Sequence, residues 1–147
     1  MHTDCSVVTQ NASLWLLGLA KSRPLRCLCL AIAITAITQF FWLGSKPIAV
    51  NLIPPPWDKL AHFATFFSIA MLFWFGFALR GRFAIVLAGA LLSITDEIHQ
   101  LWLPGRSADW QDLAADAAAL AAFWLVAYLW ARFVSEATIV PSSARSD

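Results

Sequence analysis

Charge is scarce in this chain: 13% of its residues are Asp, Glu, Lys or Arg against 60% that are hydrophobic, a balance well away from that of soluble domains. A water-soluble globular fold is thereby excluded, and the chain reads as an integral membrane protein. The formal net charge of +1, with basic residues at segment ends and no basic patch, leaves nucleic acid no surface to bind. Cysteine is equally sparse. Its count of three is odd and argues against a disulfide scaffold. Cys27 and Cys29 stand two apart, diverge on a helix and cannot share a metal ion; they are expected to pack as small apolar side chains. No internal repeat is present, and 147 residues leave length for one domain.

What the chain has in quantity is long apolar sequence. A membrane-crossing helix needs about 20 mostly apolar residues, and four runs approach or reach that length: residues 25–43, 60–79, 83–103 and 113–133. The expected fold is all-α, a polytopic four-transmembrane-helix bundle. It divides into a cytoplasmic or interfacial segment (1–24), a membrane domain (25–133) and a polar C-terminal tail (134–147). The apolar patch in SLWLLGLAKSR is too short to span and lacks a small-residue cleavage site, so it reads as an interfacial stub. Lys21, Arg23, Arg26, Arg80, Arg82, Arg132 and Arg145 flank one side of the bundle, and Lys46, Lys59 and Arg106 the other. Because Lys and Arg favour cytoplasmic loops, both termini are expected in the cytoplasm, with loops 44–58 and 104–112 outside. Trp42, Trp57, Trp102 and Trp110 then fall at the outer boundary, with Tyr128 and Trp130 near the inner one.

The acidic residues interrupt this pattern. Of nine Asp and Glu, five lie between residues 95 and 116: Asp96, Glu97, Asp109, Asp112 and Asp116. At about 1.5 Å of rise per residue, Asp96 and Glu97 lie roughly 10 Å beneath the outer end of the third helix, and Asp116 about as deep in the fourth. His62 follows one turn below Asp58 at the head of the second helix. Three helices thus carry ionisable groups to one layer. A charge at mid-membrane costs roughly 2.5 to 3.5 kcal/mol on insertion scales, so such groups face a bundle interior or a wet cavity and pair with one another. Asp96 with Gln100, and Asp112 with Asp116, share a helix face at a spacing of four. Glu97 and Gln100, three apart, are expected as an inward pair. Ala114, Ala115, Ala117, Ala118 and Ala119 around Asp116, and Gly89 with Ala90, would let backbones approach closely.

Each polar residue has two readings. Asp58 and Asp109 precede helical runs and suit helix capping, and Asp112 suits the positive end of a helix dipole. Lys59 can reach lipid head groups, and Arg106 can contact lipid phosphate or fold back onto Glu97 or Asp112. His62, an imidazole one turn inside an apolar helix, needs a polar partner and has a pKa suited to proton transfer. Adjacent on a helix, Asp96 and Glu97 cannot aim at one point; one would bind ligand while the other pairs with Arg106 or caps a neighbouring helix. His99 is expected at the membrane interface.

The succession Asp58-Lys59-Leu60-Ala61-His62-Phe63, then Asp96-Glu97-Ile98-His99-Gln100, then Pro104-Gly105-Arg106 followed by Asp109, Asp112 and Asp116 closely resembles the VanZ-like family of small bacterial membrane proteins. The resemblance implies a multi-pass protein of the bacterial cytoplasmic membrane. Through the family's founding member it carries a link to low-level resistance to the glycopeptide teicoplanin. Two positions depart from the family pattern, which has Asn where this chain has Asp116 and Gly where it has Ala119.

The function expected from these residues is an outward-facing polar pocket that binds or processes the head group of an envelope lipid or cell-wall precursor. His62, Glu97, Asp112 and Arg106 are the candidate catalytic residues: His62 as acid or base, Glu97 or Asp112 orienting it, Arg106 stabilising negative charge. Asp58, Lys59, Asp96, Gln100, Asp109 and Asp116 are the candidate ligand-binding residues, and Ser107 is a weakly supported nucleophile. Lys59, Arg106 and two helix N-termini would give the pocket anion-binding character. Membrane lipids, including anionic head groups, are the expected partners, and a homo-oligomer is compatible with the chain. The cofactor is left unassigned; the carboxylate and His set could alternatively hold a hard or borderline cation, but without HExxH or a Cys pair no metal site is assigned. These residues are compatible with an enzyme and with a non-enzymatic protein alike. The competing readings are a non-enzymatic protein altering the envelope through helix association, and a small proton-coupled transporter.

Overall fold

The computed structural model describes residues 18, 22–50 and 52–138. These form four long helices, α1 (Arg23–Gly44), α2 (Trp57–Gly76), α3 (Arg82–Gln100) and α4 (Trp110–Thr138), with a short 3-10 turn at Pro47–Ala49 and no strand among the described residues. All four are long and apolar enough to cross a membrane. Residues 13–17 and 19–21 of the interfacial stub and residues 139–147 of the expected tail lie outside the described residues.

The helix ends differ from the hydropathy boundaries for identifiable reasons. α2 stops at Gly76, ahead of the expected 79. Ala78 turns left-handed (φ 55°), the Leu79 N–H donates to the Trp74 carbonyl at 2.8 Å and the Ala78 N–H to that of Phe75 at 3.0 Å. This is the Schellman arrangement with Ala in the place usually held by Gly, so no glycine marks it in an unbroken apolar run. α4 starts at Trp110, ahead of 113, because Asp109 caps it: Oδ1 accepts the Gln111 N–H at 2.8 Å. Its last turns run to Thr138, past the expected tail boundary at 133.

Each packed helix has one inward stripe that changes character along its length. On α4 the stripe is Asp112, Asp116, Ala119, Leu120, Phe123 and Ala127; on α3 it runs back from Gln100 through Asp96 and Ser93 to Ile85. On α2 the polar positions Lys59 and His62 give way to buried Phe66, Ile69, Ala70 and Trp74. Because α3 runs antiparallel to α2 and α4, the three polar ends coincide, and so do the three apolar ends. The apolar half is the core, where Trp74 meets Phe123 edge to face at 6.0 Å. Gly89 lets Leu120 approach closely there, since a Cβ on it would stand 2.6 Å from Leu120 Cδ2 and displace that side chain. Outward-facing leucines such as Leu91 and Leu125 are more than half exposed, as lipid-facing side chains should be.

α1 leans chiefly on α2. It is tied at the core end by Arg26 Nε, which donates to the Gly76 carbonyl at 3.0 Å, and buries only Ala33. Cys29 is half-buried and Cys27 exposed, so of the two expected packing cysteines only Cys29 is partly enclosed. At the polar end Trp42, Trp57, Trp102 and Trp110 are all exposed, and His99 sits against Phe41 at 5.6 Å.

Candidate functional site

The polar ends of α2, α3 and α4 meet beneath the loop 101–109 and the turn at Pro47–Ala49. Lys59 occupies the centre of a carboxylate cage: its Nζ lies 3.0 Å from Asp58 Oδ2, 2.5 Å from Asp109 Oδ2 and 2.6 Å from Asp112 Oδ1. An ammonium has three N–H donors, and each has a carboxylate here. The ammonium that the sequence suggests for anion binding thus directs its donors at carboxylates of its own chain. The middle of the acidic set, where a metal cation would sit, holds the ammonium instead. Among the described residues no group of His, Cys, Asp and Glu is arranged to hold a metal ion.

One turn deeper, His62 stands between two carboxylates of α4. Its Nδ1 is 3.2 Å from Asp116 Oδ1, and its Nε2 is 3.7 Å from Asp112 Oδ2. The second distance is too long for a hydrogen bond. The ring is also framed by Phe40 (centroids 5.7 Å apart) and stacks over Phe66 at 6.5 Å. Asp116, almost wholly buried at 1% exposure, turns its second oxygen to Ser93 of α3, whose Oγ donates at 2.7 Å. Neither Asp116 as the partner of Nδ1 nor Ser93 as the partner of Asp116 is among the roles expected from sequence, where Glu97 or Asp112 orients the imidazole. Ser93 escapes notice because a lone Ser in a membrane helix is ordinary. Its spacing of three and seven from Asp96 and Gln100 is the signal that places it on their face.

Glu97 is buried, and Oε2 accepts the Asp109 N–H at 2.6 Å while Oε1 has no hydrogen-bond partner. Glu97 thus holds the N-terminus of a neighbouring helix, the capping role among those expected of it. It pairs with neither Gln100 nor Arg106. Gln100 instead donates from Nε2 to Asp96 Oδ2 at 2.9 Å, because the spacing of four aligns these two more closely than three aligns Glu97. At the N-terminus of α4, Glu97 takes the Asp109 N–H and the Asp109 side chain takes the Gln111 N–H. The Lys59 ammonium beside Asp109, with the Gln111 N–H, holds the Asp109 carboxyl below the usual carboxylate range.

Arg106 follows Gly105, whose φ of +76° suits a residue without Cβ. It folds back onto neither Glu97 nor Asp112; one terminal N–H donates to the Ala49 carbonyl at 3.2 Å. Its Nε is buried without a hydrogen-bond partner among the described residues.

These groups surround a cavity of about 400 Å³ whose wall includes Phe40, Asp58, Lys59, His62, Gln100, Arg106, Ser107, Asp109 and Asp112. Asp96, Glu97 and Asp116 lie behind that wall. Of the ten residues expected at the site, seven line one cavity and the other three brace it.

No curated protein and no solved structure matches the chain. The order of the polar motifs, the four membrane-length helices and the match of the VanZ/LLP1 family model to residues 14–131 agree, and the chain belongs to the VanZ/LLP1 family.

Proposed function

We propose that the cavity receives the phosphate-bearing head group of an envelope lipid or lipid-linked cell-wall precursor and presents it to His62. The observation that carries this reading is Arg106. The Lys59 ammonium is matched by three carboxylates, which leaves Arg106 as the cation on the cavity wall with guanidinium donors to spare. A planar guanidinium suits a phosphate. The facing carboxylates Asp58 and Asp112 suit an amine or hydroxyl of the same head group. The excess of Lys and Arg at the opposite end of the bundle supports a site facing away from the cytoplasm, in the outer leaflet of a bacterial cytoplasmic membrane.

Lipid analysis by mass spectrometry of the protein purified in mild detergent tests this. The wild type is expected to retain a phosphate-bearing lipid that Arg106→Ala loses, and equal lipid content in the two would overturn the reading. Cells making the wild type are expected to tolerate teicoplanin better than cells making Arg106→Ala.

A second reading is favoured by the Ser93–Asp116–His62 chain, which joins α3, α4 and α2. Interhelical hydrogen bonds of this kind contribute on the order of 1 kcal/mol each and would make the cluster a helix lock. Under that reading Arg106→Ala leaves lipid content unchanged, and His62→Ala lowers thermal stability.

A further inference from the structure

We infer that His62 is a general base held by a buried Ser93–Asp116 pair, so that its Nε2 accepts a proton from a hydroxyl or water in the cavity. This rests on the head-group reading, and it names the chemistry that the site performs on what it binds.

The geometry runs from the bundle interior to the cavity. Ser93, 3% exposed, donates to Asp116 Oδ2, which leaves Oδ1 as the acceptor for the imidazole Nδ1–H at 3.2 Å. A neutral imidazole carries one proton, and with that proton on Nδ1 the lone pair is on Nε2. His62 lines the cavity while Asp116 stands behind it. Nε2 lies 3.7 Å from Asp112 Oδ2, beyond hydrogen-bond reach. A carboxylate that fixes the imidazole tautomer from behind, with the other nitrogen facing the substrate, is the arrangement that makes histidine an effective base. When a hydroxyl enters, its O–H bond breaks, the electron pair stays on oxygen and the proton bonds to Nε2. The imidazolium so formed lies between Asp116 and Asp112, which stabilise its charge. The other charged groups near the ring are Asp96 of α3 and, on the same cavity wall, Lys59, whose charge is already matched by three carboxylates. In this scheme His62 is the catalytic residue, and Asp116 and Ser93 are positioning residues.

The test needs no substrate. Protein labelled with ¹⁵N-histidine is prepared in detergent micelles at pH 7.5, and the His62 ring nitrogens are assigned by their loss in His62→Gln. The wild type is expected to show one neutral tautomer, protonated at Nδ1 and free at Nε2. Ser93→Thr, which keeps the hydroxyl, is expected to preserve it; Ser93→Ala and Asp116→Asn are expected to give an exchange-averaged mixture. A doubly protonated His62 at pH 7.5 would mean a fixed ion pair unable to accept a proton, and a proton on Nε2 would mean the wrong tautomer. Either result overturns the inference. Lipid retention by Arg106 is a separate measurement, so failure of the head-group reading would show there and leave the ring spectra unchanged.

Discussion

Lys59 Nζ lies 2.5 Å from Asp109 Oδ2 although 50 positions separate them in sequence, and this pair joins the head of α2 to the cap of α4. With Asp58 and Asp112 it makes an ion cluster at the wall of the cavity. Its consequences can be measured one at a time.

Removing the ammonium strands three carboxylates. Breaking a fully buried ion pair costs about 3 to 5 kcal/mol; the Lys59 side chain is 21% exposed, so about 2 kcal/mol is expected for Lys59→Ala. Thermal unfolding in detergent reads this directly. Asp58→Asn, which leaves the Asp109 and Asp112 contacts in place, is expected to shift the midpoint far less. A Lys59→Ala protein that melts with the wild type would remove the cluster from any account of stability.

Glu97 acts through an oxygen that accepts the Asp109 N–H. Glutamine keeps such an oxygen and alanine does not. Glu97→Gln is therefore expected to stay near wild type in stability, whereas Glu97→Ala loses about 1 kcal/mol by removing the acceptor of a part-buried N–H. Hydrogen exchange at the Asp109 amide separates the two. Equal exchange in both variants would show that the bond does not hold the loop.

Asp109 has a folded pKa below its unfolded value, so its contribution is present at neutral pH and is lost only as pH falls through the lowered folded value. A spin label at Ala108→Cys, in a background with the three native cysteines replaced, is expected to report the same loop mobility at pH 7 and pH 5. Mobility should rise below about pH 4, the ordinary carboxylate range. An Asp109→Asn protein should be mobile throughout. Loosening of the wild-type loop between pH 7 and pH 5 would contradict the assignment.

Phe123, wholly buried against Trp74, tests what packing contributes in a bilayer. In a soluble core Phe→Ala costs about 3 to 5 kcal/mol, made of a transfer part and a cavity part. Lipid tails are as apolar as the bundle interior, so the transfer part largely vanishes. About 1 to 2 kcal/mol is expected for Phe123→Ala from the cavity part alone, read as the shift in an SDS unfolding titration. A loss as large as in a soluble core would mean that water reaches this end of the bundle on unfolding.

Sequence alone determined the number of membrane-length helices, and it carried the acids and bases of three of them to one end. Both follow from one-dimensional facts: the length of apolar runs, the rise per residue and the antiparallel alternation of a chain that crosses repeatedly. Shared helix faces were legible for the same reason, as with Asp96 and Gln100 at a spacing of four and the Asp109 cap, although the choice of Asp96 over Glu97 as the partner of Gln100 was not. The end of α2 was not, because Ala78 does a turn that Gly would have announced.

Only the tertiary structure decided which charges neutralise one another and which remain for a ligand. Lys59 and Arg106 look equally available along the chain, yet one is enclosed by three carboxylates and the other rests on a backbone carbonyl with its Nε unmatched. Ser93 and Asp116 acquire their relation to His62 only when α3 and α4 pack against α2. Hydrogen bonds and ion pairs act over about 3 Å, a distance set by how helices rotate and lean on their neighbours, and helical periodicity carries no record of that between one helix and the next.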